Sequence, residues 1–232
     1  MGAEAVDAFS RLRVAVFGVG GVGGWCAESL VRSGVGHLMI VDSDRVCASN
    51  VNRQVMATSR TVGQMKVEAL RTRLLDINPN AEISAVARVY SAETADTFDL
   101  GGFDYVVDAI DSMRAKAHLI NVVTRLERPT LVSSLGAARK TDPFRIRKSE
   151  FWKVQGDGLA RALRRRFRQL GEFPAKKFTC VWSDEPPVPL RTGGVLGSAV
   201  HVTAMFGFAL AGLVLQGATG RFSSCTARGN MQ

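Results

Sequence analysis

Residues 13–44, with the sequence RVAVFGVGGVGGWCAESLVRSGVGHLMIVDSD, decide the fold of this chain. The apolar run 14–17 predicts a strand buried on both faces, because a parallel strand covered by helices has no polar side. The glycine-rich run 18–23 predicts a turn whose backbone N–H groups lie close to a phosphate. From near Gly21 a helix is expected to direct its positive dipole end at that anion. The glycines expected to line the turn are Gly18, Gly20, Gly21 and Gly23.

The end of the same stretch predicts a second strand, over residues 38–44, that carries an acidic side chain. Asp42 lies about 20 residues after the glycines, where a carboxylate accepts hydrogen bonds from the hydroxyls of a bound ribose. This spacing fits a dinucleotide dehydrogenase as well as an enzyme that uses ATP. The stretch therefore predicts a nucleotide site without identifying the nucleotide.

The rest of the chain alternates predicted strands with predicted helices. Strands are expected at 83–89, 103–107 and 129–135, and helices at 66–75 and 115–126. This alternation predicts an α/β fold built on a doubly wound, Rossmann-like, mostly parallel sheet. The alternating residues 144–147 and a short strand at 178–182 predict an antiparallel extension of that sheet.

The length of 232 residues and the hydrophobic content of 46% suit one substantial core, so we predict a single domain, 1–232. Its nucleotide-binding half is expected to end near residue 135, and residues 136–232 are expected to bind the substrate and a second subunit. Between Arg191 and Arg221 the chain has no Asp, Glu, Lys or Arg, which by length alone admits a membrane span. Its glycines favour instead a loop followed by a buried core helix over 198–215, so we expect no membrane association.

Lys and Arg outnumber Asp and Glu by 30 to 21, which gives a net charge of +9 and a pI near 9.9. Such an excess favours a polyanionic partner such as RNA. It is concentrated in a predicted helix over 159–170, where a solvated basic face is the alternative to RNA binding. The apolar stripe of this helix is expected at Leu159, Leu163, Phe167 and Leu170, and its RNA contacts at Arg161, Arg164, Arg165 and Arg168.

The cysteines Cys26, Cys47, Cys180 and Cys225 contain no CxxC pair, so neither a zinc site nor a redox dithiol is expected. Reduced thiols, and a first segment with two acids and no apolar core, predict a cytoplasmic protein without a secretory signal. The three histidines have neither catalytic nor metal-ligand spacing and are expected to be structural.

Four polar side chains are expected to meet at the carboxyl edge of the sheet. Asp42 is placed to hold a ribose, Arg53 and Lys66 to neutralise phosphates, and Asp111 to ligate Mg²⁺. This set exceeds what hydride transfer requires and suits a triphosphate that is attacked at its α-phosphorus. The chain has no G-x-x-x-x-G-K-[ST] sequence, which excludes the phosphate loop of kinases and motor proteins.

These residues resemble a known family. The motifs at 18–23 (GVGGVG), 42–44 (DSD), 49–54 (SNVNRQ), 63–66 (GQMK) and 108–111 (DAID) occur in the order and spacing of the ubiquitin-activating, ThiF and MoeB type of adenylating enzymes. Within that superfamily, residues 108–116, 179–183 and 202–208 are most similar to the tRNA threonylcarbamoyladenosine dehydratases. The resemblance covers nearly the whole chain.

The resemblance implies an enzyme that uses ATP and Mg²⁺ to adenylate a carboxylate, and that works as a homodimer. Asn50, Arg53 and Lys66 would stabilise the α-phosphate and the leaving pyrophosphate, and Asp111 would hold the metal ion. ATP would lie against Gly18, Gly20, Gly21, Gly23, Asp42, Asp44, Ser49 and Ser112. In the dehydratases the carboxylate belongs to threonylcarbamoyladenosine in tRNA, and the adenylate is displaced intramolecularly to give a cyclic, dehydrated product.

Two departures from the family pattern concern the start of the chain and one dipeptide. The family usually carries, before the first strand, an arginine that reaches the ATP of the partner subunit. Neither Arg11 nor Arg13 lies at that position, so a truncated start is expected. Many relatives have Asp-Asn where this chain has Asp111-Ser112, which the dehydratases share.

Cys180 is a candidate nucleophile, because sulfur-carrier branches of the family form a thioester or persulfide on a cysteine. A cysteine desulfurase or a sulfur acceptor would then be a partner. A small buried side chain is the commoner role of a lone cysteine.

The leading hypothesis is therefore an ATP-dependent tRNA-modifying enzyme. The alternative is adenylation of the C-terminus of a ubiquitin-like sulfur carrier. The absence of paired zinc cysteines argues against this alternative. A non-catalytic nucleotide sensor and an NAD-dependent oxidoreductase also remain open.

Overall fold

The computed structural model describes residues 2–189 and 197–220. Its sheet contains the strands β1 (Arg13–Phe17), β2 (His37–Val41), β3 (Glu82–Val86), β4 (Tyr105–Asp108), β5 (Thr130–Ser134), β6 (Ile146–Glu150) and β7 (Thr179–Ser183). The described helices are α1 (Ala3–Ser10), α2 (Gly23–Arg32), α3 (Lys66–Ile77), α4 (Met113–Arg125), α5 (Gly158–Leu170) and α6 (Val200–Ala218).

The strands lie in the order β3-β2-β1-β4-β5-β7-β6. Neighbouring strands are parallel except for β6, which runs antiparallel to β7 at one edge. The strand order changes direction between β1 and β4. Open α/β sheets bind their ligands outside the carboxyl ends of the strands at such a switch point. The predicted fold class, including the antiparallel extension, is confirmed.

The two faces of β1 belong to two different hydrophobic cores. Val14 and Val16 pack on the side of α2, α3 and α6, whereas Ala15 and Phe17 pack on the side of α4 and α5. Both faces are therefore dry, as the unbroken apolar run predicts. On the first side, α2 and α6 approach closely at Gly207. A Cβ there would lie 2.6 Å from the carbonyl oxygen of Val22 and 2.9 Å from the backbone nitrogen of Cys26.

Several predicted boundaries are wrong by a few residues, among them the ends of the strands predicted at 38–44 and 83–89, which end at Val41 and Val86. Helix α2 begins at Gly23 instead of Gly21, because the residues before it still belong to the glycine turn. The antiparallel strand begins at Ile146 instead of residue 144. Pro143–Arg145 forms a 3₁₀ turn capped by Asp142, whose carboxylate accepts a hydrogen bond from the Phe144 N–H.

Helix α6 is, in the described ranges, the one helix long and apolar enough to cross a membrane. More than half of the apolar stretch, 56%, is buried inside the protein, with Val202, Phe206 and Leu210 fully covered. This is the burial of a core helix, as predicted. The glycine-rich loop expected before it, at 190–196, lies outside the described residues.

Candidate active site

A cavity of about 740 Å³ opens at the carboxyl ends of the strands, at the switch point between β1 and β4. The four side chains expected to meet there, those of Asp42, Arg53, Lys66 and Asp111, all line it. The other predicted site residues that line it are Gly18, Gly20, Gly21, Asp44, Asn50 and Ser112. The structure thus brings together residues from five separate segments of the chain.

The glycine turn forms one wall of the cavity. Gly18 has a φ of +81°, and a Cβ there would lie 2.7 Å from the carbonyl oxygen of Ala109, so the position needs glycine on both counts. Gly23, in contrast, does not line the cavity, and a Cβ at this residue would overlap the carbonyl oxygen of Gly18. Gly23 therefore allows close packing within the turn and is not placed to contact a nucleotide, which corrects the prediction for this residue.

The Asp42 carboxylate holds the glycine turn in place. Its Oδ2 accepts a hydrogen bond from the Val19 N–H at 2.9 Å, and its Oδ1 accepts one from the Asp44 N–H at 2.9 Å. Each carboxylate oxygen retains a further lone pair, because an ionised carboxylate accepts about four hydrogen bonds in total. Asp42 can thus hold the turn and a ribose hydroxyl together.

Lys66 is the first residue of α3 and contributes a nearly buried ammonium group. Its Nζ lies 2.7 Å from Oδ2 of Asp44, and its side chain is 8% exposed against 67% for that of Asp44. An ammonium group has three donors, so the ion pair leaves two for phosphate oxygens. Asp44 therefore positions Lys66, and because it also lines the cavity its nucleotide contact stays a prediction.

Arg53 and Asn50 lie in the segment between β2 and α3. The Arg53 guanidinium donates to the Ser49 carbonyl and to Oδ1 of Asn52, both at 2.9 Å. Oδ1 of Asn50 accepts from the Cys47 N–H at 3.1 Å. Ser49 does not line the cavity and acts through its carbonyl on Arg53, which corrects its predicted nucleotide contact.

Asp111 follows β4 at the exposed mouth of the cavity and makes no hydrogen bond or ion pair with another described residue. Its neighbour Ser112 caps α4 by accepting from the Ala115 N–H at 3.5 Å. Within residues 2–189 and 197–220 no group of three or more His, Cys, Asp or Glu could hold a metal by itself. A single free carboxylate fits Mg²⁺, which is commonly bound by one or two carboxylates together with substrate phosphates.

Beneath the cavity floor lies an ion pair that sequence reasoning missed. Nζ of Lys116 and Oδ2 of Asp108 are 2.7 Å apart, and both side chains are fully buried. Oδ2 also accepts from the Ser133 hydroxyl at 2.7 Å, and Oδ1 from the Ile110 N–H at 3.2 Å. The Asp108 carboxylate therefore fixes the backbone that leads to Asp111. The available signal was the spacing of Lys116 after Asp108, which puts a cation in the first turn of the helix that follows the strand.

The cavity has two further parts that the sequence did not reveal. Beyond the end of β3, the exposed Arg88 lines it next to Tyr90, whose hydroxyl is 3.1 Å from Nδ1 of His118. Burial, with Asp108 nearby, raises the pKa of Tyr90, so its hydroxyl remains protonated. Beyond β5, small residues at 136–138 and Leu159 of α5 extend the cavity away from the glycine turn. A second ligand can therefore reach the same space.

The α5 arginines divide into two groups. The side chains of Arg161, Arg165 and Arg168 are exposed and make no hydrogen bond or ion pair with any described residue. Arg164 donates to the carbonyls of Phe151 and Val154, at 2.5 and 2.8 Å, and its guanidinium lies over the Phe151 ring. Arg164 is therefore a structural residue, which corrects its prediction as an RNA contact.

The apolar stripe of α5 also differs from its prediction. Ala160, Leu163 and Phe167 are fully buried, whereas Leu170 is 44% exposed. The buried face keeps Leu163 and Phe167 of the predicted stripe but includes Ala160 in place of Leu170, and Arg164 lies on the Ala160 side of that face.

Cys180 is not placed to act as a nucleophile. It lies inside β7, between Ser133 of β5 and Ser149 of β6, and is fully buried. Burial raises the pKa of its thiol well above the ordinary range, so the thiol is protonated at neutral pH. Both the burial and the raised pKa of the thiol argue against the predicted role of Cys180 as a nucleophile, and so against a sulfur-transfer partner inferred from it.

Neither Arg11 nor Arg13 lies at the cavity. Arg11 pairs with Asp7 at 2.6 Å, and the Arg13 guanidinium donates to the Gly102 carbonyl, at the opposite end of β1. The histidines are also away from any metal or catalytic pair. His37 contacts Glu82 at 2.9 Å, and Nε2 of His201 lies 2.9 Å from the Thr141 carbonyl oxygen.

Curated relatives share this chain's sequence over most of its length. The tRNA threonylcarbamoyladenosine dehydratase of Bacillus subtilis is 42% identical over 191 residues, which cover 82% of this chain and 74% of the relative. The Escherichia coli protein of the same name is 34% identical, over 89% and 86% of the two chains. The molybdopterin-synthase adenylyltransferase of Salmonella typhimurium is 38% identical, but over only 50% of this chain and 46% of its own.

Solved structures agree with the sequence relatives. The Escherichia coli tRNA N6-threonylcarbamoyladenosine dehydratase in complex with ATP has a TM-score of 0.86 and 34% identity, with 97% of this chain and 92% of that chain covered. Its complex with AMP gives a TM-score of 0.87. A profile of the ThiF family matches residues 1–230. With the glycine turn, Asp42, Arg53, Lys66 and Asp111 around one cavity, this chain belongs to the ThiF family.

Proposed function

We propose that this protein is an ATP-dependent enzyme that adenylates the carboxylate of threonylcarbamoyladenosine in tRNA and cyclises it with net loss of water. The observation that carries the proposal is the convergence of Asp42, Arg53, Lys66 and Asp111 on one cavity. The relatives that match most of the chain carry the name of this activity, whereas a relative that adenylates a sulfur-carrier system matches about half. The expected tRNA substrate supports the prediction of a cytoplasmic protein.

ATP is expected to lie across the carboxyl ends of β1 and β2. The backbone of Gly18, Gly20 and Gly21 faces the phosphates, the helix α2 directs its positive end at them, and Asp42 accepts from the ribose hydroxyls. Arg88, which is exposed at the rim of the cavity beyond β3, would then lie near the ribose and the base. When bound, Mg²⁺ would supply charge neutralisation for the phosphates, and Asp111 would be its protein ligand.

The first chemical step transfers the adenylyl group. A carboxylate oxygen of the threonylcarbamoyl group attacks the α-phosphorus, the bond to the β-phosphate oxygen breaks, and pyrophosphate leaves. Negative charge grows on the leaving group, where Arg53 and the amide of Asn50 are placed to meet it. The ion pair with Asp44 holds Lys66 in position, so little reorganisation is needed as that charge develops.

The second step closes the ring. A nucleophilic atom of the same threonylcarbamoyl group attacks the activated carbonyl carbon, and AMP leaves with the carboxylate oxygen. The product lacks the elements of water, which leave in AMP and pyrophosphate. The small residues at 136–138 and Leu159 provide space for the modified adenosine next to the nucleotide. The homodimer and the division into halves near residue 135 remain predictions.

The proposal is tested by measuring pyrophosphate release from ATP with bulk tRNA and, separately, with a sulfur-carrier peptide. We expect release with tRNA that falls by about 10²-fold or more in Arg53→Ala, because a preorganised charge partner of the leaving group is lost. Arg60→Ala is the matched control, since Arg60 is an exposed arginine of the same segment that does not line the cavity. Release with the peptide but not with tRNA would overturn the proposal in favour of the sulfur-carrier function.

A further inference from the structure

The protein exposes two aromatic side chains side by side at the far end of α5. Trp152 is 41% exposed and Phe173 is 49% exposed, and their ring centroids are 6.3 Å apart. Leu170, at the last turn of the helix, is 44% exposed. A cluster of exposed large apolar side chains on a folded domain marks an interaction site more often than a chance arrangement.

The surface that leads to this pair is basic. Arg161, Arg165 and Arg168 follow the i, i+4, i+7 spacing and therefore lie on one side of α5. They have no partner among the described residues, and the helix contains no acidic residue to balance them. Unpaired arginines beside exposed aromatic rings complement the phosphates and the bases of a nucleic acid strand.

Trp152 is held on a rigid support. Its ring meets that of Phe151 edge-on at 5.1 Å, and Phe151 in turn stacks on Phe178 at 5.0 Å. Arg164 donates to the backbone carbonyls of Phe151 and Val154 and so ties this turn to α5. A flat ring that is already positioned loses little conformational entropy when another ring stacks on it.

The pair is distinct from the nucleotide cavity. Leu159, in the first turn of α5, lines the cavity, whereas Phe173 follows the last residue of the helix, Leu170, by three positions. A helix of 13 residues is about 20 Å long, which corresponds to about six nucleotides of a stacked strand. An RNA that inserts one adenosine into the cavity can therefore reach the pair with nearby nucleotides.

We propose that Trp152 and Phe173 form a stacking surface for an unpaired base of the RNA substrate, and that Arg161, Arg165 and Arg168 bind the phosphates between that base and the cavity. The inference rests on the proposed function. A second copy of this chain is the less suitable occupant, because a twofold contact would bring the unbalanced arginines of both copies together. Recognition of splayed-out bases by aromatic rings is the common mode for single-stranded RNA.

Binding of bulk tRNA to the full chain, measured with Trp152→Leu and Trp152→Phe, tests the inference. Leucine keeps an apolar side chain but removes the π-face, so we expect about tenfold weaker binding or more, while phenylalanine stays within about threefold of wild type. Phe144→Leu is the matched control, an aromatic residue 91% exposed that lies in another turn. Quenching of tryptophan fluorescence by an oligonucleotide should be smaller in Trp152→Leu.

Wild-type affinity in Trp152→Leu would overturn the inference, and so would an equal loss in Phe144→Leu. If the sedimentation coefficient measured without RNA differs between Trp152→Leu and the wild type, the surface is a protein contact instead. These outcomes are independent of the proposed function. That function fails if the wild-type chain releases no pyrophosphate with tRNA, whereas the binding series still reports on Trp152.

Discussion

The charged side chains around the cavity and those on α5 are arranged in opposite ways. Lys66 has a carboxylate partner at 2.7 Å, and Lys116, just beneath the cavity, has another at the same distance. On α5, Arg161, Arg165 and Arg168 have no partner among the described residues. A paired and buried cation keeps one position, as stabilisation of a developing charge requires, whereas unpaired cations adapt to a flexible polyanion and are screened by salt.

The largest effect is expected from a substitution that breaks the buried Asp108–Lys116 pair. Lys116→Met leaves the Asp108 carboxylate buried without its partner, so we expect the free energy of unfolding to fall by about 3–5 kcal/mol. Urea denaturation monitors this loss. Arg165→Ala, which removes an unpaired surface cation, should change stability by no more than about 0.5 kcal/mol.

The control for this prediction is the double variant Lys116→Met/Asp108→Leu, which removes both charges and should recover much of the lost stability. If Lys116→Met is as stable as Arg165→Ala, the buried pair does not contribute more to stability than an unpaired surface arginine, and the prediction is wrong.

The next effect concerns the unpaired arginines. Replacing Arg161, Arg165 and Arg168 by alanine should weaken tRNA binding and reduce the slope of log K against log salt by about two to three units. ATP binding should be unchanged, because none of the three lines the cavity. Titrations at several salt concentrations measure both quantities.

Arg164→Ala is the matched comparison, since it removes an arginine of the same helix that is bound to two backbone carbonyls. It should lower stability by about 1–3 kcal/mol and leave the salt slope nearly unchanged. A triple variant with the wild-type slope would remove α5 from the RNA-binding surface but leave the adenylation proposal intact.

The smallest effect contrasts buried and exposed thiols. At pH 8 a thiol-alkylating reagent should modify the exposed Cys47 and leave Cys180 unmodified, because burial raises the pKa of Cys180 and only the thiolate reacts. Because the pKa of Cys180 is raised, its thiol is neutral at every pH below that raised pKa. Peptide mass spectrometry locates the modification. Alkylation of Cys180 in the folded protein would restore it as a candidate nucleophile.

The fold class and the position of the cavity could be predicted from the sequence because the alternation of strands with helices is a local pattern. The carboxyl ends of parallel strands meet at one edge, so residues after β1, β2 and β4 had to lie together. Asp42, Arg53, Lys66 and Asp111 were found in this way. Their catalytic roles remain proposals.

Other features depend on packing that no local pattern encodes. One helix position, a rotation of about 100°, separates Arg164 from Arg165. Which of them turns inward depends on how Phe151 packs against α5. The Asp108–Lys116 pair likewise needs the distance between a strand end and the helix after it. For Gly23 and Ser49, the motif identified the segment but not which atoms face the cavity.

The bracing of the glycine turn by Asp42 has a consequence for how the nucleotide arrives. Because the hydrogen bonds that brace the turn come from Val19 and Asp44 of the chain itself, the shape of the turn does not depend on contacts with the nucleotide. Little ordering entropy is then spent on this wall when the phosphates dock. ATP should therefore bind in one step, without a slow isomerisation of the turn. Stopped-flow binding traces that stay single-exponential at every ATP concentration would support one-step binding.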